Sequence, residues 1–102
     1  MTMPTFATTL INQLGGNRFI AMTGAKEFVY NEKRSSLRFR IGRGAENKAN
    51  VVIIRLNAMD LYDIEFYHLR GVNFRTISEH TGLYADQLRD MFTRETGFYT
   101  SL

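Results

Sequence analysis

The chain contains no cysteine and no tryptophan, and Pro4 is its single proline. The absence of cysteine excludes disulfides, thiolate metal sites and cysteine nucleophiles. Because a domain this short that folds without disulfides suits a reducing compartment, we expect the protein in a cytoplasm. Since proline does not recur after Pro4, no residue of that kind interrupts helices or strands in the rest of the chain.

Long apolar runs are missing as well. The run at residues 51–54 is as long as any in the chain, and it is far shorter than the roughly 20 residues that cross a bilayer. The start of the chain lacks the basic segment and the continuous apolar segment of a signal peptide. We therefore expect no membrane partner.

The composition that remains is typical of a folded domain. The 102 residues are 44% hydrophobic and 23% charged, which is ordinary for a globular protein and unlike a disordered one. A chain of this length has the usual size of one domain. We therefore expect a single domain, residues 1–102, with one hydrophobic core.

Two segments have the periodicity of helices. Apolar residues four apart predict a short N-terminal helix, with Phe6, Leu10 and Leu14 on one face and two glycines directly after it. Residues 84–96 predict a second helix with an apolar stripe. Gly97 is placed to end this helix in the left-handed conformation that glycine tolerates.

The segments between these helices alternate as strands do. In residues 37–41 the apolar side chains Leu37, Phe39 and Ile41 share one face, and two arginines share the other. Further strands are predicted at residues 19–22, 28–30, 51–56, 62–68 and 72–78. The expected fold class is therefore α+β: an antiparallel sheet of about four to six strands, with the short N-terminal helix and the C-terminal helix packed on one face.

Charge is distributed unevenly along the chain, whose net charge is +3. Residues 18–55 contain nine basic and three acidic residues, whereas residues 56–102 contain four basic and seven acidic ones. Such asymmetry is typical of a surface that binds nucleic acid or an acidic partner. It is also expected when the two halves of a fold neutralise each other.

The basic stretch forms a binding row if the alternation at residues 37–41 is correct, because Arg38 and Arg40 then project together from the outer face. The predicted nucleic-acid or acidic-partner site includes the turns at both ends of this strand and consists of Lys33, Arg34, Arg38, Arg40 and Arg43. Phosphates would contact these residues, while bases stack on nearby aromatic side chains. In the alternative interpretation, the arginines pair across the sheet with Asp63 and Glu65 and bind no ligand.

The chain ends on an apolar segment, which is unusual because most termini are polar. Its apolar side chains are Phe98, Tyr99 and Leu102. In one interpretation they fold back onto the core. In the other they form a protein interface that anchors a second subunit or a host protein.

No pattern in the chain predicts catalysis. There is no Gly-x-Ser-x-Gly motif, and neither His68 nor His80 has a serine and an acid at a recognisable spacing. Asp63 and Glu65 share a strand face that excludes His68, so no metal site is expected. The glycines beside Arg43 lack the spacing of a phosphate-binding loop and predict a turn. We expect neither an enzyme nor a cofactor.

Two segments near the ends of the chain resemble a known family. Residues 14–26, LGGNRFIAMTGAK, and residues 84–102, with YADQL and TGFYTSL, are similar to a family of small uncharacterised proteins of tailed bacteriophages. The middle of the chain follows the same strand-rich pattern, so the resemblance covers nearly the whole chain. It implies a phage or prophage source and action in the cytoplasm of the bacterial host. It implies no activity and no functional residues.

Two functions of different class stay open on the sequence. The favoured one is a non-enzymatic phage accessory protein that binds a protein partner, as an inhibitor or modifier of a host factor or as a homo-oligomeric component. The alternative is a nucleic-acid-binding protein that uses the basic outer face of the sheet. Protein binding ranks first because a net charge of +3 is low for a dedicated nucleic-acid binder.

Overall fold

The alternating segments of the sequence form a sheet, and helices precede and follow it. The computed structural model describes residues 5–98. In chain order the elements are α1 Thr5–Leu14, α2 Asn17–Thr23, β1 Lys26–Asn31, β2 Ser36–Arg40, β3 Val51–Leu56, β4 Tyr62–Arg70, β5 Asn73–Leu83 and α3 Ala85–Thr96. The fold class is α+β, as predicted, with a five-stranded antiparallel sheet, a short N-terminal helix and a C-terminal helix.

The sheet is a meander in which each strand pairs with its neighbour in sequence, in the order β1-β2-β3-β4-β5. The pairings are antiparallel, and antiparallel strands need only a short connection. The register places Leu37, Ile54 and Ile64 in one row across the inner face. The next inner row is Phe39, Val52 and Phe66. All six side chains are fully buried, which confirms the inner face predicted for residues 37–41.

Aromatic rings connect the helices to the inner face of the sheet. The ring centroid of Phe19 lies 5.7 Å from that of Phe39 on β2 and 5.2 Å from that of Phe92 on α3, in edge-to-face geometry. Phe92 also lies 6.3 Å from Phe66 on β4. Such pairs contribute roughly 0.5–1.5 kcal/mol each beyond the burial of apolar area. The helices therefore cover one face of the sheet.

The predicted ends of the first and last helices are confirmed. After α1, the N–H of Gly16 donates to the carbonyl of Ile11 at 2.9 Å. After α3, Gly97 adopts the left-handed conformation with φ 77° and donates to the carbonyl of Thr93 at 2.8 Å. No helix within residues 5–98 combines the length and the apolar character needed to cross a membrane.

The strand predicted at residues 19–22 is wrong, because these residues belong to helix α2. Phe19 and Thr23 are four residues apart and both buried, which is the spacing of one helical face. The Thr23 hydroxyl donates to the carbonyl of Phe19 at 2.6 Å, and Gly24 ends the helix with φ 69°. A four-residue apolar run is compatible with a buried strand and with a buried helix, so its periodicity alone does not distinguish them.

Candidate functional site

The structure separates the five basic residues predicted as one site. Lys33 and Arg34 lie in the turn between β1 and β2, whereas Arg43 lies in the loop between β2 and β3. These connections are at opposite ends of β2, about 17 Å apart for a five-residue strand. Arg38 lies midway, on the outer face, and Arg40 ends the strand on the side of Arg43. The five residues therefore do not form a single row.

One end of the sheet collects basic residues that are distant in sequence. In an antiparallel meander, the starts of β1, β3 and β5 meet the ends of β2 and β4. The register confirms this arrangement, since Lys26 pairs with Arg40 and His68 pairs with Arg75. The cations at this end, which we call the basic end, are Lys26, Arg40, Arg43, Lys48, Arg70 and Arg75.

Three adjoining hollows run along the basic end. The first, of about 540 Å³, and the second, of about 520 Å³, share Arg43 and Asn50 in their linings. The second and the third, of about 300 Å³, share His68. Because they share these residues, the hollows adjoin one another in a row, which we call the groove, and all six cations lie in its lining.

The loop of residues 41–50, which supplies Arg43 and Lys48, is fixed at several points. The N–H of Gly42 donates to the carbonyl of Thr23 at 2.8 Å. Gly42 also packs so closely on Gly24 that a Cβ on Gly24 would lie 3.1 Å from its Cα. The two backbones approach this closely because glycine has no Cβ. Gly24 and Gly42 therefore allow one end of the loop to pack against α2.

Asn50 fixes the other end of the loop to β4. Its side-chain Nδ2 donates to the carbonyl of Leu69 at 2.8 Å, and its Oδ1 accepts from the N–H of Leu69 at 2.7 Å. The backbone N–H of Asn50 donates to the carbonyl of Tyr67 at 2.9 Å. These bonds continue the pairing of β3 with β4 into the loop. The groove is therefore held in shape before any ligand binds.

His68 lies where the second and third hollows meet. Its Nδ1 is 2.7 Å from the carbonyl oxygen of Lys48. A carbonyl oxygen can only accept a hydrogen bond, so Nδ1 carries the proton and donates. In the neutral ring, Nε2 is then the nitrogen that accepts.

Few carboxylates neutralise the basic end. Among residues 5–98, the ion pair found here joins Arg40 Nε to Glu27 Oε2 at 3.5 Å. Glu46 is the other acid of this region and lines the second hollow. Six cations thus face two carboxylates. Since exposed ion pairs are worth only about 0–1 kcal/mol, Arg40 exchanges Glu27 for another anion at little cost.

The outer face has its own charge network, which differs from the expected one. Glu65 Oε1 lies 2.9 Å from Arg55 Nη2, and the Tyr67 hydroxyl donates to Glu65 Oε2 at 2.6 Å. The register places Ile53 between Arg38 and Glu65. Glu65 pairs with Arg55 on the adjacent strand β3, and Arg40 pairs with Glu27, so neither Arg38 nor Arg40 pairs with Glu65.

Arg38 instead contacts an aromatic pair on the outer face. Its guanidinium carbon is 5.8 Å from the ring centroid of Phe74, within the range of a cation–π contact. The ring of Phe74 stacks on Tyr67, with centroids 4.3 Å apart and planes inclined by 20°. Phe74 is 43% exposed. This surface is therefore partly aromatic rather than purely basic.

His80 and Glu95 form a hydrogen bond between the sheet and α3. His80 Nε2 lies 2.7 Å from Glu95 Oε1, and Asn47 Nδ2 donates to Glu95 Oε2 at 3.3 Å. Burial raises the pKa of the Glu95 carboxyl, but the hydrogen bonds from His80 and Asn47 outweigh it, and the net shift is downward. In the part of the chain that the structure describes, no three histidine or acidic side chains converge as metal ligands.

The predicted interface at the chain end is described only in part. Phe98 is half-buried and packs against the core, and its N–H donates to the Thr96 hydroxyl at 3.1 Å. Tyr99 and Leu102 lie outside the described residues.

Over residues 5–98, the fold and the groove define a class: a two-layer α+β domain with helices on one sheet face, no helix on the outer face and one strongly basic end. Comparison of the chain with protein-family models, curated proteins and solved structures found no match. The resemblance to phage proteins stays a prediction.

Sequence reasoning missed four of the six cations of the groove: Lys26, Lys48, Arg70 and Arg75. Each lies at a strand end or in the loop next to one, and none belongs to a run of basic residues. Their common position becomes visible only when the strands are placed in register. Pairing the predicted strands as an antiparallel meander would have shown from the sequence that these residues lie at the same end of the sheet.

Proposed function

We propose that this protein binds nucleic acid through the phosphate backbone, in the groove at its basic end. The observation that supports the proposal is the row of three adjoining hollows lined by six cations. Lysine and arginine that line a shaped, fixed groove are the groups that bind phosphate oxygens. A binding function of this kind needs no catalytic group.

The size of the groove fits a run of phosphates. Five strands spaced about 4.8 Å apart make the basic end about 19 Å long. One strand of a duplex presents a phosphate for about every 3.4 Å of helix axis, so about five phosphates span this length. The six cations match that number. We therefore expect contacts to the backbone along most of the groove.

The chemistry of the groove favours binding without sequence preference. Its charged groups suit phosphates, and phosphate contacts position a nucleic acid without reading its bases. Non-specific binding of this kind typically has a Kd of about 10⁻⁴ to 10⁻⁶ M at physiological salt. An affinity in that range agrees with a net charge of only +3.

The test is a titration of fluorescent single- and double-stranded oligonucleotides, followed by anisotropy at about 50 and 200 mM salt. With about five contacts, the logarithm of duplex affinity falls with the logarithm of salt with a slope of about −4.5. The variant Arg43→Gln/Arg75→Gln removes two groove cations and reduces the size of that slope by about 2. Both side chains are exposed, so the fold is expected to persist.

The control variant, Lys33→Gln/Arg34→Gln, removes the same charge from exposed residues at the opposite end of β2. We expect its salt slope to equal that of the wild type. Equal losses in both double variants would mean that net charge rather than the groove causes binding. Absence of binding at about 50 mM salt would reject the proposal outright.

Binding of a host protein is the second candidate function, and the observation that favours it is the outer sheet face, which the helices leave bare. The interface predicted at the chain end stays a prediction. Its one described residue, Phe98, packs against the core. The phage source and the bacterial cytoplasm also stay predictions from the sequence.

A further inference from the structure

The outer face of the sheet is apolar enough to favour contact with another surface. The helices pack on the inner face, where their buried side chains meet those of β2, β3 and β4. On the outer face, Val29 is 60% exposed and Phe74 is 43% exposed, and Ile53 is half-buried between them. These two exposed side chains lie on the edge strands β1 and β5, and Ile53 lies on the central strand β3.

The charges on this face are arranged with opposite signs at its two sides. The register places one row across all five strands: Val29, Arg38, Ile53, Glu65 and Glu79. The row is basic on β2 and acidic on β4 and β5. Arg55 and Asp63 repeat the same order in the adjacent row, on β3 and β4.

Two charges of the row have no ion-pair partner within residues 5–98, namely Arg38 and Glu79. Glu65, by contrast, already binds Arg55 and Tyr67. Arg38 and Glu79 are both exposed, and three strand spacings of about 4.8 Å separate them by about 14 Å. Within residues 5–98 Arg38 and Glu79 form no ion pair with each other, although the Arg38 guanidinium extends across the face to Phe74 on β5.

We propose that two copies of this chain pair outer face to outer face, about a twofold axis that runs along the strands between β3 and β4. This operation exchanges β2 with β5, so Arg38 of each copy lies opposite Glu79 of the other. A twofold interface repeats each contact, so both pairs form. Ile53 on β3 and Tyr67 on β4 belong to the strands next to the axis, and Phe74 on β5 stacks on Tyr67. Sheets that pack face to face keep their strands within about 30° of each other, which this axis allows.

The area of the outer face determines how strongly the two copies are expected to associate. About this axis the four strands β2 to β5 face each other, and with a strand length of six residues they give a surface of about 19 by 20 Å. This is about 380 Å², less than the roughly 800 Å² that each partner buries in a typical stable complex. We therefore expect a dimer that dissociates on dilution. Since the axis runs along the strands, both basic ends lie at the same end of the dimer.

Sedimentation velocity over a wide range of protein concentration tests the proposal through charge reversal. The single variants Arg38→Glu and Glu79→Arg are each expected to be monomeric, because each homodimer would place like charges opposite each other twice. An equimolar mixture of the two variants is expected to dimerise, because both contacts in the mixed dimer join opposite charges. The double variant Arg38→Glu/Glu79→Arg is expected to dimerise for the same reason.

Matched controls lie on the exposed surface of α3, in the opposite layer: Arg89→Glu and Asp90→Arg. Both are expected to dimerise as the wild type does. A wild type that is monomeric at every concentration overturns the proposal. So does a mixture of the two single variants that stays monomeric, or a control that dissociates to the same extent. Because restored pairing in the mixture requires folded chains, misfolding of a variant does not imitate the expected result.

Discussion

His80 on β5 and Glu95 on α3 are joined by a hydrogen bond of 2.7 Å between Nε2 and Oε1. β5 is an edge strand, so it has a hydrogen-bonded neighbour on one side only. The same carboxylate accepts from Asn47, in the loop that supplies part of the basic groove. Glu95 therefore links the edge of the sheet, the last helix and the groove loop, although it lies outside the groove itself.

Replacing Glu95 is expected to remove part of the acid sensitivity of the fold. Because the folded-state pKa of Glu95 lies below its ordinary value of 4.5, the carboxylate stabilises the fold above that pH, and this contribution is lost as the pH falls through the lowered pKa. Glu95→Gln should lower the free energy of unfolding by about 1–2 kcal/mol at neutral pH and by much less at a pH below the lowered pKa of Glu95. Denaturant titrations at both pH values measure the difference. An equal loss of stability at both pH values would contradict the conclusion that the ionised Glu95 carboxylate stabilises the fold.

Gly24 is expected to tolerate alanine less well than Gly71 does. Both have similar positive φ values, 69° and 61°, but a Cβ on Gly24 would lie 3.1 Å from the Gly42 backbone, whereas one on Gly71 would meet nothing within 4 Å. Gly71→Ala should cost about 1 kcal/mol from backbone strain alone. Gly24→Ala should cost about 1–2 kcal/mol more, because the groove loop must move. Urea unfolding of both variants gives the comparison, and equal costs would show that the loop yields freely.

Tyr67 is expected to ionise at unusually high pH. Burial, the hydrogen bond to Glu65 and the charge of Glu65 raise the pKa of Tyr67 to about 12. The neutral phenol thus stabilises the fold below pH 10.0, and this contribution is lost as the pH rises towards 12. Phenolate absorbance in pH-jump experiments, recorded before unfolding, should lose its transition near pH 12 in Tyr67→Phe.

A further pair of variants tests how much of the raised pKa of Tyr67 is caused by Glu65. Glu65→Gln should move the transition towards pH 10.0, because it removes the negative charge beside the phenol. Glu32→Gln removes an acid from the turn between β1 and β2 and should leave the transition in place. An unchanged transition in Glu65→Gln would mean that burial alone causes the shift.

The periodicity of apolar residues was sufficient to predict structure where a segment is long or strictly alternating. The alternation of residues 37–41 correctly placed Leu37 and Phe39 in the core and Arg38 on the outer face. The glycine after α3 correctly marked its end. These features depend on the contacts of a residue with its near neighbours in sequence, which a single sequence displays directly.

Local periodicity failed at residues 19–22, where a short apolar run forms a helix rather than a strand. Whether this run forms a helix or a strand depends on the contacts of Phe19 with Phe39 on β2 and Phe92 on α3. The prediction for β5 was also too short, since the strand continues to Leu83. It is an edge strand with a largely exposed surface, so its side chains show little alternation.

The sequence by itself determined the α+β class, the excess of basic residues before residue 56 and the absence of any cysteine chemistry. Only the tertiary structure decided which basic residues act together. Arg34 and Arg43 both lie near Arg38 in sequence, yet they occupy opposite ends of β2, while Arg75 lies far away in sequence and at the same end as Arg43. The reason is that an antiparallel meander reverses direction at every turn, so spatial neighbours at its ends are set by strand register rather than by sequence distance.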